Sequence, residues 1–173
     1  MNIFYDTEFI DDGRTINLIS IGMIREDDLT YYAISSEFDP SKASDWVKEN
    51  VLNQLGIRIL EDGPPRYHTP TPKSRKQIAE EIEEFVGIHP TFIAYFADYD
   101  HVVLSQLYGP MMNLPKTWPY YTWDLKQEMD RLINHLPHLS QDSEGEHNAL
   151  TDACWVKAAY EHVQTFKIRK GIR

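Results

Sequence analysis

The chain has 173 residues, with 17 Lys and Arg side chains against 27 Asp and Glu, and therefore a formal net charge of −10. This length suffices for one hydrophobic core, and we expect residues 1–173 to form a single domain. A protein that holds nucleic acid over a broad face neutralises many phosphates with Lys and Arg, so the acidic balance excludes that class. It leaves open an enzyme that binds a few nucleotides.

Two features of the sequence indicate the cytoplasm. The single cysteine, Cys154, excludes an internal disulfide and a cysteine-based zinc site, which is typical of a reducing compartment. The first 13 residues lack the basic region and apolar run of a signal peptide, and no stretch approaches the roughly 18 apolar residues that span a bilayer. We therefore expect a cytoplasmic protein without a membrane partner.

The first 36 residues predict a meander of three strands. Residues 2–9, 16–25 and 29–35 are rich in β-branched and aromatic side chains, which favour a pleated surface. Acidic and glycine-containing turns at 11–13 and 26–28 separate them.

Helical patterns follow the meander. Ser44 is a predicted N-cap for a helix that runs to Gly56, and a proline-marked loop then leads to a second helix that ends at Gly87. The apolar stripe of the second helix consists of Ile78, Ile82, Phe85 and Val86.

Strands and helices alternate over the rest of the chain. Residues 91–96 predict a fourth strand, residues 99–108 a helix, and residues 120–123 a fifth strand. Asp124 then opens a helix that carries Leu125, Met129, Leu132 and Ile133. After a polar loop at 140–146, the apolar residues of the last helix include Ala149, Cys154, Ala158 and Val163. This order of elements predicts an α/β layered fold.

The first candidate site is the pair Asp6 and Glu8 within an apolar strand. Side chains two apart on a strand point to the same face, so these two carboxylates project together. They repel one another unless a cation lies between them. A polar pair on the solvent face of an edge strand explains the same pattern equally well.

The second candidate site lies where the fourth strand ends, at Asp98 and Asp100. Ligands of open α/β sheets collect at the carboxyl ends of strands. Aspartate at such a position more commonly caps a helix, so we expect one of the two to cap and the other to be free for a metal.

The third candidate site is His147 with Asp152. Five residues of an α-helix rotate by about 140°, so the two side chains cannot share one face of a regular helix. We expect His147 in the loop or first turn and Asp152 inside the helix. Taken singly, a solvated histidine and an acid that faces the helix dipole are the commoner explanations.

Together these sites resemble the three-part signature of the DEDDh 3′–5′ exonucleases. The resemblance is carried by Asp-Thr-Glu at 6–8, Ala-Asp-Tyr-Asp-His at 97–101 and His-x4-Asp at 147–152, and the second strand at 17–22 is similar to the family's Ile-Gly segment. The metal-binding acid of the second motif follows an aromatic residue, so the match falls on Asp100. Tyr95 and Phe96 stand where the family often has Asn.

Within this superfamily, segments 6–13 and 94–101 resemble the small branch of the mycobacterial polyadenylate-specific 3′-exoribonuclease, related to ribonuclease T and oligoribonuclease. The resemblance implies a ribonuclease H-like α/β fold. In this fold a mixed sheet of about five strands, an antiparallel three-strand meander plus parallel strands, is flanked by helices. It also implies a metal-dependent 3′–5′ exoribonuclease that hydrolyses single-stranded RNA 3′ ends to nucleoside 5′-monophosphates, and a homodimer.

The resemblance assigns roles to particular residues. Four carboxylates in one pocket require compensating charge, and two Mg²⁺ ions, replaceable by Mn²⁺, supply it with oxygen ligands. His147 is the expected general base. The expected metal ligands are Asp6, Glu8, Asp100 and Asp152, and the expected substrate contacts are Thr7, Phe9, Leu18 and Ile19.

Several alternatives stay open at this point. Leu18 and Ile19 are at least as well explained as ordinary core. We expect Trp118, Tyr120, Tyr121 and Trp123 to supply core or a subunit interface rather than a base-stacking platform. A DNA 3′–5′ exonuclease on the same fold and a non-catalytic exonuclease-like module that binds nucleic acid are the competing functions. A phosphatase with an aspartyl nucleophile would leave the His-x4-Asp match unexplained. We also expect the loop at 137–146 to be mobile without substrate.

Overall fold

The computed structural model describes residues 1–55, 71–132 and 147–172. Five strands form one mixed sheet in the order β3-β2-β1-β4-β5. The strands β1, β2 and β3 pair antiparallel, whereas β4 pairs parallel with both β1 and β5. The predicted α/β architecture, a three-strand meander extended by parallel strands, is confirmed. The strands are β1 (Asn2–Asp11), β2 (Ile16–Arg25), β3 (Thr30–Ile34), β4 (Thr91–Ala94) and β5 (Trp123–Asp124).

Five helices flank the sheet within the described residues. They are α1 (Asp45–Val47), which continues as a π-helical stretch (Lys48–Leu52), α2 (Arg75–Val86), α3 (Ala97–Gln106), α4 (Leu125–Arg131) and α5 (Ala149–Lys170). Single 3₁₀ turns occur at Pro40–Lys42 and Met111–Asn113. None of these helices has the length and apolar character needed to cross a bilayer.

Local capping chemistry explains where several helices begin and end. The Ser44 hydroxyl accepts a hydrogen bond from the Val47 N–H at 3.2 Å, and the Asp124 carboxylate accepts one from the Lys126 N–H at 2.8 Å. Gly87 ends α2 with φ of 70°. These predicted boundaries are confirmed. Gly56, Ile133, the loop at 137–146 and all but the last two residues of the loop at 63–72 lie outside the described ranges.

Different helices pack against the two faces of the sheet. Alternation along β1 sends Tyr5 towards α2 and α3, and Phe4 towards α4 and α5. A third cluster packs α1 against β2 and β3. Trp118, which is 4% exposed, packs against Phe92 in the first cluster, so its predicted core role is confirmed.

The sheet leaves part of β1 without a strand neighbour on one side. β1 pairs with β4 only over Asn2, Ile3 and Phe4, because β4 ends at Ala94, two residues earlier than the sequence predicted. The chain turns there into α3. The carboxylates of residues 6 and 8 therefore lie beside the carboxyl end of a parallel strand, where α/β folds bind ligands.

Candidate metal and catalytic site

The start of α5 lies directly on β2, and Gly22 makes this approach possible. Gly22 pairs with Asp6 across the sheet, and a Cβ added to it would lie 2.2 Å from the Leu150 nitrogen and 2.3 Å from the Ala149 carbonyl carbon. Since only a residue without a side chain fits, glycine allows the first turn of α5 to reach the carboxylates of β1.

Asn148 and His147 form the entry to α5. The Asn148 side chain accepts hydrogen bonds from the N–H groups of Leu150 and Thr151 at 3.2 and 3.3 Å. His147 has a left-handed backbone with φ of 68°, and its own N–H donates to Oδ2 of Asp152 at 3.0 Å. The prediction that His147 precedes the helix and Asp152 lies inside it is confirmed.

Three side chains from β1 and the start of α5 converge. Ligand atoms of Glu8, His147 and Asp152 all lie within 4.8 Å of one another. The His147 ring also meets the ring of Trp46 edge to face, with centroids 4.8 Å apart, so α1 forms a wall of the site. The carboxylate oxygens of Glu8 and Asp152 are ligands that Mg²⁺ and Mn²⁺ accept, and the imidazole of His147 lies beside them.

Asp100 joins the site from α3 through Thr7. Oδ1 of Asp100 accepts hydrogen bonds from both the backbone N–H of Thr7, at 2.9 Å, and its hydroxyl, at 2.5 Å. Both residues are buried, at 5% exposure each. The structure thus places Thr7, a predicted substrate contact, under Asp100, where it orients the carboxylate.

The expectation that Asp98 or Asp100 caps α3 is wrong. Phe96 occupies the N-cap position with a left-handed backbone and no side-chain hydrogen bond. Asp98 and Asp100 are the second and fourth residues of the helix, so neither occupies the N-cap position. Asp98 is exposed, whereas Asp100 points inward.

The carboxylates of the site perturb one another. Burial raises the pKa of Asp6 well above its ordinary value, and the charges of Asp100, Glu8 and Asp152 raise it further. Burial and then the charges of Asp152 and Asp100 raise the pKa of Glu8 to about 8. Burial raises the pKa of Asp100 to about 7 although the hydrogen bonds from Thr7 oppose the shift. Such mutual repulsion is relieved by bound cations, so the residues present fit a divalent metal centre.

The remaining predicted substrate contacts differ in exposure. Phe9 is half-buried and stacks on Tyr99, with ring centroids 5.8 Å apart and planes 9° apart. Leu18 and Ile19 are 1% and 0% exposed and belong to two different core clusters. Ile19 is also the residue that the pairing of β1 with β2 skips, at a bulge next to Glu8. The side chains of Leu18 and Ile19 therefore support the site from the core.

One network that sequence reasoning missed lies behind Asp100. The Thr122 hydroxyl is 2.6 Å from the Tyr5 hydroxyl and 3.0 Å from Nδ1 of His101. It ties the segment before β5 to β1 and α3. Tyr5 and Thr122 are 117 residues apart, so no local pattern could have paired them.

Comparison with known proteins identifies the family of the chain. The model of a family described as the Rv2179c-like 3′–5′ exoribonuclease domain matches residues 1–164. The 3′–5′ exoribonuclease Rv2179c of Mycobacterium tuberculosis (strain H37Rv) is 45% identical over 158 residues, covering 88% of this chain and 87% of the relative. The 3′–5′ exoribonuclease MT2234.1 of M. tuberculosis (strain CDC 1551) matches to the same extent. The chain therefore belongs to the Rv2179c-like 3′–5′ exoribonuclease family.

Proposed function

We propose that this protein is a metal-dependent 3′–5′ exoribonuclease of the DEDDh type, a single domain over residues 1–173. It hydrolyses single-stranded RNA 3′ ends to nucleoside 5′-monophosphates in the cytoplasm. The convergence of Glu8, His147 and Asp152 within 4.8 Å carries this proposal, because it joins two of the three motifs in space. Membership of an exoribonuclease family supports it.

In this proposal Asp6, Glu8, Asp100 and Asp152 hold two Mg²⁺ ions, for which Mn²⁺ substitutes. When bound, such an ion pair activates water and stabilises both the attacking and the leaving oxygen of a phosphodiester. The protein holds the carboxylates in place before metal arrives. Thr7 fixes one oxygen of Asp100 through two hydrogen bonds and leaves Oδ2 of that carboxylate for coordination.

His147 accepts the proton of the attacking water. Imidazole is the side chain that most often performs this task near neutral pH. The backbone hydrogen bond to Asp152 and the edge contact with Trp46 hold the histidine against the carboxylates. The closeness of the ring to Glu8 and Asp152 supports this role.

The Phe9 and Tyr99 stack is proposed to receive the base at the 3′ end. Tyr99 is 52% exposed, so its ring offers an aromatic surface beside the carboxylate of Asp100. We also infer a homodimer, and sedimentation equilibrium tests it: a mass near that of one chain would contradict the dimer.

Two aspartates of α3 provide a matched test of the catalytic proposal. Asp100→Asn keeps the shape and an acceptor for Thr7 but removes the charge of a proposed metal ligand, whereas Asp98→Asn removes an exposed charge two residues away. We expect Asp100→Asn to lower the release of monophosphates at least about 100-fold and Asp98→Asn to leave it within about twofold. Equal activity of the two variants, or full activity in EDTA, would refute the metal-dependent mechanism.

The same assay separates RNA from DNA. Matched single-stranded RNA and DNA oligonucleotides with a 5′ label are digested side by side, and the products are identified by chromatography. We expect faster release of monophosphates from RNA. Faster digestion of DNA would favour the alternative nuclease, and digestion of neither with intact binding would favour a non-catalytic module.

A further inference from the structure

Three aromatic side chains are exposed beside the carboxyl end of β4. Phe96, Tyr121 and Trp123 are 60%, 62% and 48% exposed, and we call them the aromatic strip. Nζ of Lys126 lies 5.9 Å from the centroid of the Phe96 ring. Tyr121 and Trp123 border a hollow of about 220 Å³ whose other lining residues are Thr122, Asp124, Gln127, Glu128 and Arg131.

Phe96 holds a backbone conformation that phenylalanine rarely adopts. Its φ of 59° and ψ of 47° lie in the left-handed region, where the Cβ of any residue other than glycine is crowded. Glycine or asparagine would start α3 with less strain. Packing explains the choice only in part, since the ring meets that of Tyr95 with centroids 4.7 Å apart but the residue is 60% exposed. A strained, exposed aromatic residue next to a reaction site indicates a binding role.

The strip is rigidly connected to the carboxylates. Phe96 directly precedes α3, of which Asp100 is the fourth residue. Thr122, between Tyr121 and Trp123, contacts Tyr5 and His101 through its hydroxyl, and Tyr5 adjoins Asp6 on β1. The aromatic surface therefore keeps a fixed distance from the proposed position of the scissile bond.

We propose that the aromatic strip binds the nucleotides that lie 5′ of the scissile bond in single-stranded RNA. Bases stack on Phe96 and Trp123, and Lys126 and Arg131, which form ion pairs with Asp130 and Glu128 in the free protein, exchange these partners for the phosphates. This inference rests on the proposed function, which places the 3′ end at the carboxylates.

The chemistry of the strip favours RNA over a second copy of the chain. Surfaces that hold single strands combine aromatic rings with cations, as Phe96 and Lys126 do here. The core of a protein interface is depleted of charged residues, whereas charged and amide side chains of α4 and its N-cap interleave with this strip.

The dependence of KM on RNA length tests whether the aromatic strip binds RNA. The KM values for two- and ten-nucleotide RNAs are measured for the wild type and for Phe96→Gly, and the Kd of a fluorescein-labelled ten-nucleotide RNA is measured by anisotropy with Ca²⁺ in place of Mg²⁺. We expect Phe96→Gly to raise KM and Kd for the ten-nucleotide RNA about 10-fold, so that the advantage of the longer RNA disappears. Its Tm should equal or exceed that of the wild type, because glycine relieves the left-handed strain.

Three further variants distinguish the loss of base stacking from a general effect of substituting an exposed apolar residue. Phe96→Trp should retain tight binding of the ten-nucleotide RNA, and Trp123→Leu should weaken it as Phe96→Gly does. Ile88→Ala removes another exposed apolar side chain, which is 73% exposed and lies three residues before β4 begins, and it should change neither KM nor Kd.

Three results would contradict RNA binding by the aromatic strip, and a different result would contradict the proposed function. The strip is refuted by an unchanged Kd in both Phe96→Gly and Trp123→Leu, by equal losses on both RNA lengths, or by variants that change only the sedimenting mass. The last result would identify a protein interface. A wild type that releases no monophosphate from either RNA refutes the proposed function. The Kd from anisotropy still shows whether the aromatic strip binds RNA.

Discussion

Replacing Gly22 by alanine tests how the protein positions Asp152. The new Cβ would lie 2.2 Å from the backbone nitrogen of Leu150 and 2.4 Å from the carbonyl oxygen of Ala149. Both atoms belong to the backbone of the first turn of α5, which no change of rotamer relieves. The helix must therefore move away from the sheet, and Asp152 moves with it.

The size of the effect follows from these distances. An ordinary contact needs about 3.5 Å, so the start of α5 retreats by roughly 1 Å. Misplacement of a reacting group by about 1 Å lowers the rate about 100-fold. Overpacking of this kind also lowers the free energy of unfolding by about 1–3 kcal/mol, which corresponds to a Tm lower by roughly 3–10 °C for a chain of this size.

Gly13→Ala is the matched control for this experiment. Gly13 has a φ of 79° and nothing within 4 Å of an added Cβ, so alanine there strains a turn far from α5 without a clash. Both variants should lose stability, but only Gly22→Ala should lose Mn²⁺ affinity by calorimetry and release of monophosphates from RNA. Wild-type affinity and turnover in Gly22→Ala, or equal losses in both variants, would refute the view that Gly22 sets the position of Asp152.

Two further predictions concern the carboxylates. Since the pKa of Glu8 rises from 4.5 to about 8 on folding, the native state binds more protons than the unfolded state between those values. The Tm of the metal-free protein in EDTA should accordingly fall as pH rises from 5 to 8, and it should fall less in Glu8→Gln. Added Mn²⁺ should raise the Tm more at pH 8 than at pH 6. A Tm that rises with pH, or an equal slope in Glu8→Gln, would contradict the raised pKa of Glu8. Thr7→Val keeps the backbone donor to Asp100 but loses the hydroxyl donor, so its Mn²⁺ affinity by calorimetry should fall about 10-fold. Thr7→Ser should restore it, and an unchanged affinity in Thr7→Val would show that the hydroxyl does not orient Asp100.

Local patterns were enough to predict most of the fold. The capping side chains Ser44 and Asp124 lie within three residues of the groups they bind, and Gly87 ends α2 by its own conformation. The ends of the parallel strands were predicted less well because they depend on partners. β4 offers only Ile93 and Ala94 to β5, so β5 begins at Trp123 although residues 120–122 have equal strand propensity.

The candidate site likewise contains residues that local motifs predict and residues that they do not. The motifs predicted Glu8, His147 and Asp152, and the structure brings their ligand atoms together. The role of Thr7 depends on a hydrogen bond to a residue 93 positions away, which spacing does not encode. The failed cap at α3 has a similar cause, since the left-handed backbone of Phe96 goes against the preference of its residue type.

The acidity of the chain has a physical explanation that is compatible with an RNA substrate. Four of its 27 acidic side chains belong to the proposed metal centre, where burial and mutual repulsion raise the pKa values of Asp6, Glu8 and Asp100. Two divalent ions would change the formal net charge from −10 to about −6, with the added positive charge concentrated where a phosphate must bind. A broad basic face is then unnecessary for one strand end. Stacking on Phe96 and Trp123 would hold the rest of the strand through contacts that depend little on net charge.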